Sequence, residues 1–271
     1  MLKVGIITPY GGDDPETLAR CCANVDTLGL DGLEVHHYVV RDGPSDDGSF
    51  ASRTVATPSG ARHWTQTTER AGDAGATPRA IGSVEALGAG RVDVLCFLDA
   101  DNLLEPDHLP RCLSAAESAP IVTTLRYICD PRTMKEFAVG GAEPDDYYHE
   151  EVWDTNCLML SGVALNFAAT WAWRDMASVW TGNTGADRSF WMRLKRSIGK
   201  ESVACTNRPT VRYASTWLAH YNAEGAPEPP DVCSVMVRSG DGRVKIRVRP
   251  TTQDESGRWQ FAVDDPRVVT P

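Results

Sequence analysis

The chain has 271 residues, 42% of them hydrophobic, and a formal net charge of -10. That length supports one large domain, or one domain with an appendage. The acidic balance disfavours non-specific nucleic-acid binding, which needs basic surface to neutralise phosphates. A small anionic ligand stays compatible, because a bound cation and a few arginines can reverse the field inside one cleft.

No stretch approaches the roughly 20 apolar residues of a membrane span. The start, Met1-Leu2-Lys3-Val4-Gly5-Ile6-Ile7, runs directly into a strand pattern instead of a signal peptide. The expectation is a cytoplasmic protein without an integral anchor, with peripheral membrane association left open. The eight cysteines are scattered, with Cys21 and Cys22 adjacent and no C-x-x-C pair, which predicts buried reduced thiols.

In chain order, Leu2 to Thr8 is apolar and β-branched and is stopped by Pro9-Tyr10-Gly11-Gly12. Asp14-Pro15-Glu16 then opens a helix whose apolar positions Leu18, Cys22, Val25 and Leu28 share one face. A second strand, Leu33 to Val40, ends at Arg41-Asp42-Gly43-Pro44, a strong turn signal. After a polar, glycine-containing stretch, Pro78 to Leu87 reads as a helix and Val92 to Leu98 as a strand buried on both faces. The β-α-β-α-β order predicts an α/β fold with a mostly parallel sheet between helices. Ligands then bind beyond the carboxyl ends of the strands, where Asp42 and Asp99-Ala100-Asp101 fall.

Residues 111–222 are mixed and tryptophan-rich, with Phe190, Trp191 and Leu194 on one helical face between Asp187 and Lys195. The run Glu224 to Pro230 reads as a linker. Three strand-like runs follow, Val232 to Arg238, Arg243 to Arg249 and Arg258 to Val263, with a hairpin turn at Ser239-Gly240-Asp241-Gly242. They predict a small antiparallel meander, packed on the main domain or mediating self-association. In its second strand Arg243, Lys245, Arg247 and Arg249 alternate with Val244, Ile246 and Val248, so one face is basic and the other apolar.

The chemistry concentrates at Phe97-Leu98-Asp99-Ala100-Asp101-Asn102, where an apolar strand delivers two carboxylates to its exposed end. Such acids suit hard Mg²⁺ or Mn²⁺, which keep other positions for water and substrate phosphates. The alternative is a plain helix start with Asp101 as a cap.

These residues carry a resemblance. Val39 to Gly48 resembles the V-V-D-D-G-S-T-D-x-G stretch of family-two glycosyltransferases. Gly75 through Arg79 to Gly82 is similar to their G-x-x-x-A-R-N-x-G segment, and Phe97 to Asn102 is similar to their F-L-D-x-D-D. The three come in the family's order and cover about residues 1–220.

The resemblance implies a GT-A fold and a metal-dependent transfer of sugar from a nucleoside diphosphate sugar, a UDP-sugar as first guess. The acceptor would be a glycan, lipid-linked or small-molecule hydroxyl. It divides the chain into a transferase domain, 1–223, with a donor half (1–110) and an acceptor half (111–223), and a tail, 224–271. Asp42 would contact the nucleobase, Arg79 would lie near the nucleotide, and Thr8, Pro9 and Tyr10 would border the donor with Asp99, Ala100 and Asp101. Asp99 and Asp101 would serve the metal, completed by His220. Asp187 aligns with the family's catalytic base in an inverting displacement, and Trp153 and Trp180 are candidates for stacking on the acceptor. Arg41, Ala80 and Ala186 depart from the pattern. A retaining transferase and a non-catalytic binder on a degenerate scaffold remain as alternatives. A nucleotidyltransferase would place a basic residue in the loop after the first strand, and Thr8 to Asp14 contains none.

Overall fold

The computed structural model describes the chain except residues 13, 49, 91, 146–149, 174–185, 224, 240–241 and 263–271. In chain order the elements are β1 (Leu2–Tyr10), α1 (Pro15–Asp26), β2 (Leu33–Arg41), β3 (Arg53–Thr57), β4 (Gly60–Gln66), α2 (Ala76–Glu85) and β5 (Val94–Phe97). Then come β6 (Leu103–Leu104), α3 (His108–Ala116), β7 (Ile121–Cys129), β8 (Glu136–Gly140), β9 (Glu143–Asp145), β10 (Glu150–Val152), β11 (Leu158–Ser161), α4 (Ala186–Ile198) and β12 (Val203–Ala214). A tail sheet of β13 (Cys233–Ser239), β14 (Gly242–Gln253) and β15 (Trp259–Ala262) closes the order.

The main sheet has ten strands, in the order β3-β4-β2-β1-β5-β11-β7-β12-β6, with β8 on β7. Its parallel centre is β4, β2, β1 and β5. Alternation along these strands builds two cores. Val4, Ile6, Val94, Cys96 and Leu98 face α1 and α3, joining Cys21, Val25, Leu109 and Cys112. Ile7, Leu95 and Phe97 face the other way, joining Ala80, Trp171, Phe190 and Leu194. The expected α/β sheet between helices is what forms.

α1 starts as the sequence predicts: Asp14 caps it, accepting the N–H groups of Glu16 and Thr17 at 3.1 Å each, with Pro15 in the first turn. The β3–β4 hairpin was not expected from the polar stretch before α2. β4 is half-buried at every position, so no alternation marks it, and β3 lies at the sheet edge. All eight cysteines are free thiols, seven of them buried. Burial pushes the Cys21 thiol up to about 12. Among the described residues no helix is long and apolar enough to cross a membrane.

The tail meander packs on the main domain. Ser239 pairs with Gly242 across the predicted hairpin turn, and the apolar face buries Cys233, Ile246 and Val248 with Leu218. The Ser234 N–H donates to the Thr216 carbonyl at 2.6 Å, beside a bridge between Trp217 and Ser234.

Candidate active site

The parallel strands end together, as a doubly wound sheet requires of a site. Tyr10 ends β1 opposite Arg41 of β2, and Asp42 continues that ladder by donating its N–H to the Tyr10 carbonyl at 2.8 Å. Phe97 ends β5, and Asp99 to Asp101 follow. Two cavities open here. The larger, about 450 Å³, is lined by Gly72, Ala74, Arg79, Asp99, Arg126, Glu143, Asp154, Thr155, Ala186, Asp187, Arg188, Tyr213, Trp217 and Met236. The smaller, about 370 Å³, is lined by Tyr10, Ala100, Asp101, Arg20, Thr216 and their neighbours. Both fall in the range of small-molecule sites.

Arg79 organises the larger cavity from α2. Gly75 precedes the helix at φ +82°, and a side chain there would come within 2.9 Å of Pro9 and 3.0 Å of the Arg79 guanidinium. Only glycine takes that conformation without strain. Two turns on, a side chain at Gly82 would come within 2.7 Å of Ile7, so the helix lies close on β1. Arg79 is only 5% exposed. It donates to the Ala74 carbonyl at 2.9 Å, pairs with Asp99, and lies 5.2 Å from the centre of the Trp171 ring.

Asp99 is held from a second side by Asn156. The Asn156 amide donates to Asp99 Oδ2 at 3.0 Å, and the Asp99 N–H donates to Asn156 Oδ1 at 2.6 Å. Asn156 also donates to Asp154 Oδ1 at 2.7 Å. Asp154 in turn pairs at 2.7 Å with Arg126, which also pairs with Glu143 and lies over the Tyr213 ring. Trp217 closes this chain by donating its indole N–H to the Tyr213 hydroxyl at 3.1 Å. Asn156, Asp154, Arg126 and Glu143 carried no local sequence signal.

Asp187 stands in the first turn of α4, half-buried, with Oδ1 accepting the Arg188 N–H at 2.8 Å. Burial raises its carboxyl above the ordinary range; the Arg188 and Arg79 cations oppose that, and Asp154 reinforces it. Three residues on, Phe190 stacks on Trp171 at 3.8 Å. An aromatic column therefore ties Asp187's helix to Arg79 and, through it, to Asp99.

The other predicted residues are placed as follows. Both Asp42 oxygens accept backbone N–H groups, from Ala71 at 2.7 Å and Gly72 at 2.9 Å, so this acid shapes the cavity rim. Thr8 is fully buried and turns to His37 at 2.9 Å. Pro9 packs beneath Gly75, Tyr10 stacks on Phe50, and Ala100 lines the smaller cavity. Trp153 is packed against both core clusters. Trp180 lies outside the described residues.

The three predicted metal ligands do not converge. Asp99 borders one cavity and Asp101 the other. His220 is engaged at Nδ1 with the Ser215 hydroxyl at 2.6 Å, and burial lowers its pKa. Among the described residues no three His, Cys, Asp or Glu side chains gather as a ready-made cage. The donor set at Asp101, an exposed carboxylate at a strand end, still fits Mg²⁺ or Mn²⁺ held by one carboxylate, water and substrate phosphates.

No protein-family model matches the chain, and no curated protein does. Solved structures do. The structure of S. aureus TarS residues 1–349 with UDP aligns with a TM-score of 0.50 at 11% identity, over 78% of this chain and 60% of that one. A second TarS 1–349 structure gives 0.49 at 11% identity, over 82% and 62%. A mannosyltransferase, PcManGT from Pyrobaculum calidifontis with GDP-Man and Mn²⁺, gives 0.45 at 15% identity, over 76% and 54%. The chain thus spans about three fifths of the length of the TarS structures. Its sheet order, flanking helices and strand-end cavities have the GT-A glycosyltransferase fold.

Proposed function

We propose that the chain transfers a sugar from a nucleoside diphosphate sugar to an acceptor hydroxyl, with inversion and with Asp187 as general base. The observation that carries this is the convergence of Asp187, Arg79 and Asp99 on one cavity at the strand ends. The acceptor hydroxyl gives its proton to an Asp187 oxygen as its own oxygen attacks the anomeric carbon. The bond from that carbon to the diphosphate breaks, and the electron pair leaves with the nucleoside diphosphate. Burial that raises the Asp187 carboxyl makes it a stronger base than an exposed aspartate. Arg79 supplies positive charge on the donor side, and its pairing with Asp99 fixes where that charge sits. Asp101 would hold a divalent cation, which when bound neutralises charge developing on the diphosphate. The UDP bound by TarS makes UDP-sugars the first donors to try.

The test is release of nucleoside diphosphate from a panel of donors with Mn²⁺, comparing wild type with Asp187→Asn and Asp101→Ala. Turnover of one donor that both substitutions abolish is the expected result. Turnover unaffected by Asp187→Asn would remove that residue as the base. Product stereochemistry separates inversion from retention.

A further inference from the structure

The loop between β4 and α2 walls the cavity of Asp187 with Gly72 and Ala74, and it does so in a costly backbone conformation. Gly72, Ala74 and Gly75 have φ of +61°, +55° and +82°. For Ala74, which carries a Cβ, that region is unfavourable and persists only where the surroundings over-determine it. Three side chains hold the loop. Asp42 accepts the Ala71 N–H on one carboxylate oxygen at 2.7 Å and the Gly72 N–H on the other at 2.9 Å. Asp73 accepts the Thr77 N–H at 3.1 Å, in the first turn of α2. Arg79 reaches back to the Ala74 carbonyl at 2.9 Å. Beside Asp42, the Gly43 N–H donates to the Thr67 hydroxyl at 2.6 Å, and a side chain at Gly43 would come within 3.3 Å of Arg70. The turn after β2 is therefore clasped to the loop. Asp42 itself is 9% exposed and lines neither cavity.

We propose that Asp42 is a positioning residue that straps the loop 71–75 and does not read the base of the donor. The strapped loop presents the Ala74 carbonyl, which with Asp99 holds the Arg79 guanidinium from two sides. This rests on the transferase reading for Arg79 at the donor diphosphate, and on the loop alone for the strap. A carboxylate offers only acceptors, and here each oxygen takes one backbone N–H. An amide in its place has a single oxygen, and its NH₂ group would face a backbone N–H. Asp42→Asn therefore frees one side of the loop, and Arg79 loses the carbonyl that orients it. Every ligand that needs the Arg79 charge is then bound more weakly, whether or not it carries a base. A base contact at Asp42 would be felt only by ligands that have one.

Calorimetry in Mg²⁺ separates the two, using inorganic pyrophosphate, which has no base, and UDP. Asp42→Asn is compared with Asp26→Asn, which removes the same charge from an ion pair with Arg62 on α1. The expected result is binding of both ligands weakened about tenfold in Asp42→Asn and unchanged in Asp26→Asn. Loss confined to UDP, no loss for either ligand, or equal loss in Asp26→Asn would overturn the proposal. Hydrogen exchange tests the strap with no ligand present. Ala71 and Gly72 are exposed residues, so slow exchange of their amides in wild type reports the bonds to Asp42. Exchange there at the rate of an open chain would overturn the proposal even if Asp42→Asn does not fold. In the folded variant both amides should exchange about tenfold faster than in wild type, and an unchanged rate counts against the strap. Failure of the transferase reading shows separately: wild type then binds neither ligand, while the exchange rates still decide the strap.

Discussion

Phe190 packs the helix that carries Asp187 into the core. It is fully buried, stacks on Trp171 at 3.8 Å and 13°, and meets Phe97 edge-on at 6.1 Å. Truncating a buried phenylalanine to alanine costs about 3–5 kcal/mol through lost transfer energy and the cavity left behind. The stacked pair puts Phe190→Ala toward the upper part of that range. For a chain of this size, 1 kcal/mol moves the melting temperature by about 2–4 °C, so a fall of roughly 10 °C is expected by calorimetry. Phe190→Leu keeps most of the volume and should cost about 1 kcal/mol. It serves for kinetics, because it folds while loosening the helix one turn beyond Asp187. Nucleoside diphosphate release by Phe190→Leu should show kcat falling more than donor KM rises, since Asp187, the proposed base, is displaced while the Arg79–Asp99 side is kept. A Phe190→Ala melting temperature within about 2 °C of wild type would refute the packing argument. A Phe190→Leu effect confined to donor KM would refute the link to Asp187.

Asp187→Asn should melt higher than wild type at neutral pH while losing about 10²–10⁴-fold in kcat. A carboxyl raised by burial destabilises the fold above its unfolded pKa, and the amide removes that penalty. The same shift should put the acid limb of the kcat/KM profile above the ordinary carboxylate range, as a pH series would read. Burial holds His108 at about 4 and His37 at about 3. Both are depressed, so stability is lost as pH falls from 6.5 toward those values. For His108 this reaches roughly 3 kcal/mol by pH 4, and urea midpoints against pH should flatten in His108→Asn. EDTA should abolish nucleoside diphosphate release, Mn²⁺ should restore it, and Asp101→Ala should resist restoration at any Mn²⁺ concentration that saturates wild type.

What was legible in the sequence follows from which interactions are local. β1, β2 and β5 run apolar because helices cover both faces, and the Asp14 cap and the Ser239–Gly242 hairpin are short-range chemistry. β3 and β4 were missed because exposed or half-buried strands carry no sharp pattern. The candidate site was legible at strand ends and helix starts, where Asp99, Arg79 and Asp187 line one cavity and Asp101 another. Its supports were not. Asn156 reaches Asp99 across 57 positions, and Arg126 meets Asp154 and Glu143 from separate segments. Met236 enters the cavity from a strand that, on its own, reads as an appendage.

The two acids after β5 illustrate how a motif divides its labour once folded. Each Asp99 oxygen has a protein partner, one Arg79 and the other Asn156, and its own N–H is taken by the Asn156 carbonyl. A carboxylate held this way has little freedom to turn toward a cation, and its ionised form is already compensated. Asp101 is exposed and borders a different cavity. On the proposed reading Asp99 positions Arg79, and Asp101 would be the acid that meets a metal carried in with the diphosphate. Asp99→Asn would weaken the pairing that fixes Arg79 in place, so it should weaken donor binding without changing the Mn²⁺ requirement. Asp101→Asn should raise the Mn²⁺ concentration needed for half-maximal release. If both substitutions shift the metal requirement alike, the two acids share one cation and the division fails.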